Sequence, residues 1–307
     1  MKNITVFTPT YNRAELLQNV YKSLIIQDIN LFKWLIVDDG SSDNTQDIIK
    51  QWKSTSKGLE IEYHYQENKG KMVAHNNGVS FCNTELFLCL DSDDILMANA
   101  ISQINTFWED VKIKLSSLPF EVSGVVAPKL IVSKNTKVPV HQFPKGIKYA
   151  SLRNLYQNGY TGETVLVYRT NILKQYPFKV FEGEKFVPEA SAYALIDDNY
   201  KMAIFNRHVM QCEYQADGYT QNTAKLIVNN PQGYSYYCGI IARREKSIIK
   251  KFRKLVSYGA YGILAHYSII KIIKESNYPF ISLIIVPFSL LQKYRILRRY
   301  NKLHYRY

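Results

Sequence analysis

Cysteine is scarce in this chain, and its pattern disfavours a protein held together by disulfides. The four cysteines form no CxxC pair and no disulfide-like framework. Because Cys82 and Cys89 lie in segments that are typical of a core, we expect reduced thiols in a cytoplasmic protein. The N-terminus, MKNITVFTPTYNR, has no basic region followed by an apolar stretch, so we expect no signal peptide.

Two ligand-binding signatures are also missing. No GxGxxG motif precedes a predicted helix, which disfavours a dinucleotide-binding fold. An EF-hand loop that began at Asp91 would need Gly at its sixth position and Glu at its twelfth. The chain has Leu96 and Ser102 there, so a calcium loop of this kind is excluded.

Negative charge is nearly absent from the C-terminal part of the chain. Residues 1–240 hold 24 Lys and Arg against 24 Asp and Glu, whereas residues 241–307 hold 15 against only Glu245 and Glu275. The whole net charge of +13 therefore belongs to this tail. A basic tail on a neutral body indicates a polyanionic partner for the tail, either nucleic acid or anionic lipid.

What the first 130 residues do contain is a regular alternation of short apolar runs and helical stretches. This rhythm is typical of βαβ units and predicts an α/β protein with a parallel, doubly wound sheet. Ligands of such sheets bind outside the carboxyl ends of the strands, where polar residues follow the runs in this chain. The runs are ITVFT, KWLIVDD, IEYHY, ELFLCL and VSGVVAP, and the predicted helices are 14–27, 43–55, 71–81 and 98–115.

The second half of the chain is less regular. ETVLVYRT predicts a strand, KFVPEASAYALIDDNY predicts a helix that starts at Pro188, and KMAIFNR with HVMQCEY predicts a strand pair or one long bent strand. After Pro231 the pattern becomes helical and aromatic. We therefore predict one domain over residues 1–230 and a helical C-terminal extension over residues 231–307.

One apolar run, LFLCLDSDDIL, ends abruptly in carboxylates. Asp91 and Asp93 can direct two oxygens toward one point, and a divalent cation would offset a repulsion that otherwise raises one pKa. A phosphatase of the haloacid dehalogenase type also has DxD after a strand, but after its first strand and usually with Thr or Val where Ile95 stands. A solvated acidic turn is the other alternative.

Four motifs in a fixed order connect these strand ends. VFTPTYNRAELL lies at the first strand, LIVDDGSSDNT at the second, QENKGKMVAHNNGV after the third and LDSDD at the fourth. Their order and spacing resemble glycosyltransferase family 2, whose members have the GT-A fold and use nucleotide-diphosphate sugars. The resemblance covers roughly residues 3–225 and implies a Rossmann-like, mixed but mostly parallel sheet with helices on both faces. It also implies a nucleotide-sugar-binding half, 1–130, and an acceptor half, 131–230.

The resemblance implies a pocket for the nucleotide of a UDP-sugar at the first three strand ends. Pro9 and Tyr11 would line the base pocket, and Asp39 would accept a hydrogen bond from the uracil or the ribose. Gly70 and Lys71 would lie beside the nucleotide, with the lysine charge close to the base or the diphosphate. For Tyr11 and Lys71, simple packing or solvation is the alternative.

The resemblance also implies a metal site at the fourth strand end. Asp91 would reach the ribose or a metal-bound water, and Asp93 would directly ligate Mn²⁺ or Mg²⁺ between the two phosphates. Carboxylate oxygens are ligands that suit these ions, which often keep several waters. The cation would stabilise the charge that develops on the departing diphosphate.

The catalytic base is where this chain departs from the family pattern. In inverting members, the Asp of an "ED" pair at the start of a helix removes the proton of the acceptor hydroxyl, but Ala190 stands at that position. We expect Glu189 to be the base, because it follows Pro188 near a helix start and a partly buried Glu can be tuned toward neutral pH. Glu184 and Asp198 are the other candidates, and a carboxylate that complements the helix dipole is the structural alternative for Glu189.

The basic tail contains an apolar segment. YPFISLIIVPFSLL, residues 278–291, is interrupted by Pro279 and Pro287 and is shorter than the roughly 20 residues of a membrane span. We expect an in-plane or partly inserted segment, with residues 278–307 on an anionic membrane surface. An apolar helix packed on the body is the alternative. Nucleic acid is disfavoured as a partner, since no binding motif for it is present.

Together these features predict an inverting, metal-assisted glycosyltransferase that moves a sugar from a UDP-sugar to a cell-surface glycan. The basic tail suggests a lipid-linked acceptor and a peripheral location at the cytoplasmic face of the cell membrane. One alternative is a metal-dependent phosphohydrolase that uses Asp91 as its nucleophile. The other is a non-catalytic homologue that binds a glycan or a membrane, which the Ala at position 190 leaves open.

Overall fold

The structure, a computed structural model, describes residues 2–56, 58–133, 138–213 and 223–304. The chain divides into two compact units. The sheet unit comprises Met1–Pro177 and Ile196–Gln215, and the helical unit comprises Phe178–Leu195 and Ala216–Tyr307. The functional division at residue 230 stays a prediction.

The sheet unit is built on a mixed sheet of eight strands. These are β1 (Ile4–Thr10), β2 (Phe32–Asp38), β3 (Ile61–Tyr65), β4 (Leu86–Cys89), β6 (Glu121–Pro128), β8 (Tyr149–Ala150), β9 (Thr164–Arg169) and β10 (Tyr200–Ile204). Their order is β3-β2-β1-β4-β9-β6-β10-β8. β1 to β4 are parallel, β6 is parallel to β10, and β9 runs antiparallel to both of its neighbours. The predicted α/β fold with a mixed, mostly parallel sheet is confirmed.

A second, smaller sheet lies in the same unit and carries the end of the acidic motif. It consists of β5 (Asp94–Leu96), β7 (Leu130–Val132) and β11 (Met210–Glu213), in the order β5-β11-β7. KMAIFNR and HVMQCEY therefore do not pair with each other, because β10 pairs with β6 and β8 whereas β11 pairs with β5 and β7. The prediction of a strand pair or of one bent strand was wrong.

The helices of the sheet unit connect and cover these strands. They are α1 (Ala14–Leu24), α2 (Thr45–Thr55), α3 (Lys71–Phe81), α4 (Ala100–Lys112), α5 (Leu152–Gln157) and α6 (Thr170–Leu173), with a 3-10 turn at Leu115–Ser117. Each residue of β1 and of β2 is buried, as expected for central strands covered on both faces. α3 approaches β1 closely, because a Cβ at Gly78 would lie 2.3 Å from the Phe7 ring. This close packing holds α3 against the sheet.

The helical unit follows the helical pattern that the sequence predicts after Pro231. Its helices are α7 (Ala190–Ile196, whose last residue belongs to the sheet unit), α8 (Thr223–Asn229), α9 (Pro231–Arg244), α10 (Ile248–Leu264), α11 (Ile269–Glu275) and α12 (Pro279–His304). Pro287 lies inside α12, which continues through it and extends beyond the apolar segment of residues 278–291. Among the described residues one helix, α12 over Pro279–Lys302, is long and apolar enough to cross a membrane.

Candidate active site

The residues predicted for the nucleotide and the metal lie at one edge of the large sheet. From β1 the chain proceeds outward through β2 and β3 and then returns to β4 on the other side of β1, which makes a switch point between β1 and β4. Crevices at such points are the usual ligand sites of open α/β sheets. The carboxyl ends of these strands, or the turns after them, carry the predicted residues Pro9, Tyr11, Asp39, Gly70, Lys71, Asp91 and Asp93.

Asp39 organises the loop between β3 and α3. Its Oδ1 accepts hydrogen bonds from Gln66 Nε2 at 2.7 Å and from the backbone N–H of Lys69 at 2.8 Å. Its Oδ2 accepts one from the backbone N–H of Gly70 at 2.8 Å. Gly70 has a φ of +95°, a conformation that glycine adopts without strain, and it precedes the first residue of α3. The carboxylate therefore holds the backbone that presents Lys71.

A second clamp, which the sequence analysis missed, joins the loops after β1 and β2. Asn12, whose φ is +51°, donates its backbone N–H to Ser41 Oγ at 2.9 Å. Asp43 accepts from the backbone N–H of Ala14 at 3.1 Å, and thus caps α1 from a neighbouring loop. Burial acts to raise the pKa of Asp43, but hydrogen bonds from Thr45 and Ala14 lower it overall. Asn and Asp in short turns after strands are a sequence signal that could have identified this clamp.

Lys71 and Asp91 form an ion pair at the switch point. Lys71 Nζ lies 2.9 Å from each carboxylate oxygen of Asp91. Burial acts to raise the pKa of Asp91, but the ammonium groups of Lys71 and Lys129 lower it overall. Burial, followed by the negative charge of Asp91, raises the pKa of Asp93. The charge of Asp91 is thus balanced by lysines of the protein, whereas an added cation would favour the ionised form of Asp93.

A buried ion pair under this loop was not predicted. Lys129 Nζ donates to Asp94 Oδ2 at 2.6 Å, and the two side chains are 13% and 5% exposed. Burial acts to lower the pKa of Lys129, but the carboxylates of Asp94 and Asp91 raise it overall. Asp94 begins β5 and Lys129 immediately precedes β7. The pair therefore ties the DxD loop to the small sheet.

We expect Lys129→Met to lower the free energy of unfolding by about 3–5 kcal/mol, because it leaves the Asp94 carboxylate buried without its ammonium partner. Urea denaturation measures the change. The double variant Asp94→Leu/Lys129→Met removes both charges and is expected to be more stable than Lys129→Met alone. A Lys129→Met variant as stable as the wild type would show that this pair does not anchor the loop.

The carboxylate ligands at the DxD loop fit a divalent cation that is also bound by a substrate. Among the described residues, no group of three or more His, Cys, Asp and Glu side chains can hold a metal. Both oxygens of Asp91 face Lys71, which leaves Asp93 as the carboxylate best placed to ligate. Mg²⁺ is often held by one or two carboxylates together with substrate phosphates. The residues present therefore fit Mg²⁺ or Mn²⁺ with a diphosphate and do not fit a cation held by the protein alone.

Glu189 lies in the helical unit, directly before α7. Its backbone carbonyl accepts a hydrogen bond from the N–H of Ala192 at 3.1 Å, so it already belongs to the first turn of that helix. Its side chain is half-buried, as expected for a carboxylate held by a rigid element. The predicted helix start at Pro188 is therefore correct to within two residues.

The two other candidate bases have structural partners. Glu184 accepts hydrogen bonds from the backbone N–H groups of Gln232 at 2.7 Å and Gly233 at 2.8 Å, and so caps the N-terminus of α9. Burial raises the pKa of Glu184, although these N–H groups act to lower it. Asp198 lies 3.1 Å from Arg153 in an ion pair. Both carboxylates therefore have a structural role that does not involve catalysis.

Comparison with known proteins gives the family. The family model described as Glycosyl transferase family 2 matches residues 5–121, the segment that holds β1 to β4 and the acidic loop. Residues 5–121 are thus a glycosyl transferase family 2 domain. The chain is a glycosyltransferase, as the four motifs predicted.

A curated relative and two solved structures extend the similarity over most of the glycosyltransferase. The GalNAc(5)-diNAcBac-PP-undecaprenol beta-1,3-glucosyltransferase of Campylobacter jejuni is 21% identical over 271 residues, which are 87% of this chain and 83% of the relative. The structure of S. aureus TarS 1–349 with UDP-GlcNAc has a TM-score of 0.56 at 14% identity and covers 98% of this chain and 92% of its own. The mannosyltransferase PcManGT of Pyrobaculum calidifontis with GDP-Man and Mn²⁺ has a TM-score of 0.51 at 16% identity, with 95% and 88% covered. The structural neighbours confirm the predicted GT-A fold.

Proposed function

We propose that this glycosyltransferase transfers a sugar from a UDP-sugar to a cell-surface glycan with inversion at the anomeric carbon. The observation that carries the proposal is the junction of the β1 and β4 ends, where the Lys71–Asp91 pair lies beside Asp93. The TarS neighbour, which was crystallised with UDP-GlcNAc, supports UDP as the nucleotide. A diphosphate is negatively charged, and this junction offers it the ammonium group of Lys71 and a cation bound by Asp93.

The donor nucleotide would bind along the ends of β1, β2 and β3. Pro9 is buried near the end of β1, and Tyr11, just beyond the strand, is 47% exposed, so that its ring is accessible to a base. Asp39 already accepts three hydrogen bonds from the protein, which leaves one lone-pair direction for the uracil or the ribose. Gly70 and Lys71 would then flank the nucleotide on the side of α3.

Asp93 would hold Mn²⁺ or Mg²⁺ together with the diphosphate of the donor. When bound, the cation stabilises the negative charge that develops on the departing UDP. Lys71 holds Asp91 in its ionised form, so that Asp91 can orient the ribose or a hydrating water without itself needing a cation. The Asp94–Lys129 pair fixes the backbone directly after Asp93. The loop is thus preorganised for a charged leaving group.

Glu189 would act as the general base on the acceptor hydroxyl. A carboxylate on the opposite face of the sugar from the leaving UDP takes the proton as the hydroxyl oxygen attacks the anomeric carbon, and this geometry inverts the configuration. Its position at the start of α7 fixes the backbone that carries it. The start of this helix is where the family pattern has its base, which favours Glu189 over Glu184 and Asp198.

The acceptor would be a lipid-linked saccharide at the cytoplasmic face of the cell membrane. The Campylobacter jejuni relative is named for a saccharide on PP-undecaprenol, and the tail of this chain is apolar and basic. Residues 278–307 would hold the enzyme at anionic lipid, although residues 305–307 lie outside the part of the chain that the structure describes. Such a tether would keep the active site near a membrane-bound acceptor.

A donor screen tests the nucleotide and the cation. We expect UDP or a UDP-sugar together with Mn²⁺ to raise the melting temperature of the purified chain, because ligands that bind only the native state stabilise it. GDP-sugars should have a smaller effect, since they would bind more weakly. A shift with GDP-sugars that exceeds the shift with UDP-sugars would contradict the assignment of the donor.

The contact of Lys71 with both oxygens of Asp91 disfavours the alternative function, a phosphohydrolase that uses Asp91 as its nucleophile.

A further inference from the structure

The sequence Ser-Ile-Ile-Lys occurs twice in the helical unit and opens a helix each time. Ser247 Oγ accepts from the backbone N–H of Lys250 at 3.4 Å at the start of α10, and Ser268 Oγ accepts from that of Lys271 at 3.2 Å at the start of α11. The serine caps place two isoleucines in each first turn. The isoleucines are strongly exposed: Ile248 84%, Ile249 67%, Ile269 45% and Ile270 66%. Four exposed β-branched side chains at two repeated openings indicate a surface that meets an apolar partner.

In the apolar part of α12, two serines are buried and large apolar side chains are exposed, which is the reverse of the pattern expected for a helix in water. Ser282 and Ser289 are buried at 0% and 1% exposure, and Ser289 Oγ donates to the carbonyl of Val256 on α10 at 3.0 Å. A Cβ at Gly259 would lie 2.4 Å from Ser289 Oγ, so small residues let the two helices approach closely. The outward side chains are large and apolar, namely Phe280, Ile281, Leu283, Ile284, Phe288, Leu290 and Leu291. Small residues inside and apolar residues outside are typical of helices in lipid.

The three helices belong to one packed group. α10 contacts α12 through the Val256–Ser289 hydrogen bond and through the Phe252 and Phe288 rings, whose centroids lie 5.6 Å apart. It contacts α11 where Tyr258 Oη donates to the carbonyl of Ile272 at 3.3 Å. The isoleucine pairs and the outer face of α12 are therefore carried by helices that pack on one another.

We propose that the two Ser-Ile-Ile-Lys openings and the outer face of α12 form one membrane-binding surface that enters a single leaflet. Although α12 over Pro279–Lys302 is long enough to cross a membrane, charged residues begin at Lys293. Its uncharged apolar part, residues 279–291, is about 20 Å long at a rise of 1.5 Å per residue, which is less than the roughly 30 Å of a hydrocarbon core. The isoleucines insert beside it, and the lysines that follow them meet anionic headgroups. This inference rests on the membrane tether in the proposed function, and does not depend on the sugar-transfer chemistry.

Charge favours anionic lipid over a second copy of the chain as the partner of this surface. Residues 241–307 hold 15 Lys and Arg against two acidic residues, and Lys250 and Lys271 directly follow the isoleucines. Two copies that met through this surface would bring like charges together, which opposes association. Anionic headgroups supply the opposite charge at the depth where these lysines would lie.

Co-sedimentation with phosphatidylglycerol–phosphatidylcholine vesicles tests the surface with the full chain. We expect Ile248→Ser/Ile249→Ser to lower the vesicle partition coefficient about tenfold, and Ile269→Ser/Ile270→Ser to have a similar effect. Each double variant removes two partly inserted aliphatic side chains. Ile113→Ser, a 79% exposed isoleucine in the sheet unit, is the matched control and is expected to bind as the wild type does. Pure phosphatidylcholine should bind the wild type more weakly.

Two readouts separate this inference from the donor assignment and from misfolding. The stabilisation by UDP and Mn²⁺ should be the same in the isoleucine variants as in the wild type, so a donor result that fails does not affect the vesicle result. Wild-type partition in the variant that carries all four substitutions would overturn the proposal. A shift from dimer to monomer in sedimentation velocity, with vesicle binding unchanged, would also overturn it and would assign the surface to a second copy.

Discussion

Asp93→Asn is expected to reduce sugar transfer by about 10³-fold while leaving the fold intact. The substitution keeps the size of the side chain but removes the negative charge that would hold a divalent cation on the diphosphate. Loss of one electrostatic contact to the leaving group costs on the order of 10²–10³ in rate, and loss of the cation removes more than one such contact. The rate of UDP release in the presence of acceptor and Mn²⁺ measures the effect.

Donor binding gives the same substitution a second readout. Because the pKa of Asp93 is raised by burial and by Asp91, neutral Asn at this position removes a repulsion, and the unliganded protein should be at least as stable as the wild type. The additional stabilisation that Mn²⁺ gives in the presence of UDP should disappear. Asp110→Asn, an exposed carboxylate on α4, is the control and should retain transfer. Equal Mn²⁺ effects in Asp93→Asn and the wild type would contradict the metal role.

Glu189→Gln is expected to retain donor binding and to lose transfer by about 10²–10⁴-fold, the usual contribution of a general base. The amide has the shape of the carboxylate but cannot accept the proton of the acceptor hydroxyl. Single-turnover transfer at saturating UDP-sugar separates the chemical step from donor binding.

Glu184→Gln and Asp198→Asn are the comparisons for the base. Glu184 caps α9, so its amide variant should unfold at lower temperature but keep its turnover below that temperature. Asp198 pairs with Arg153 at the surface of the sheet unit, and its loss should change stability by less than about 1 kcal/mol. Near-normal turnover in Glu189→Gln combined with loss in Asp198→Asn would transfer the role to Asp198.

The donor half of the fold could be predicted from the sequence because local signals agree there. β1 and β2 are buried along their whole length and end in polar residues, so their apolar runs and strand ends are visible without tertiary information. Strand direction is not visible in the same way, because an apolar run has the same pattern whichever way it pairs. This is why ETVLVYRT predicted the strand β9 but not its antiparallel place between β4 and β6.

The site could be predicted as a set of positions but not as a set of contacts. The four motifs identify Asp39, Lys71 and Asp91, yet no local signal shows that Asp39 binds the loop at Gly70 or that Lys71 pairs with Asp91. Lys129 is a single lysine between two short strands, and only the small sheet brings it to Asp94. Contacts of this kind depend on chain segments that are distant in sequence.

The C-terminal segment shows the converse case, in which local signals misled. Proline removes a helical hydrogen bond, yet α12 continues through Pro287, and its buried Ser289 bonds to α10. The serines that look like polar breaks in an apolar run are the residues that face α10. Their role becomes visible only when the neighbouring helix is present.

Mass spectrometry of a complete reaction tests the central claim most directly. The full chain is incubated with a mixture of UDP-sugars, Mn²⁺ and a lipid-linked saccharide extract, and the products are followed with time. The account predicts UDP and an acceptor that is heavier by one sugar residue, both absent with Asp93→Asn. Release of inorganic phosphate from simple esters without glycosylated product, or no conversion of any UDP-sugar, would contradict it.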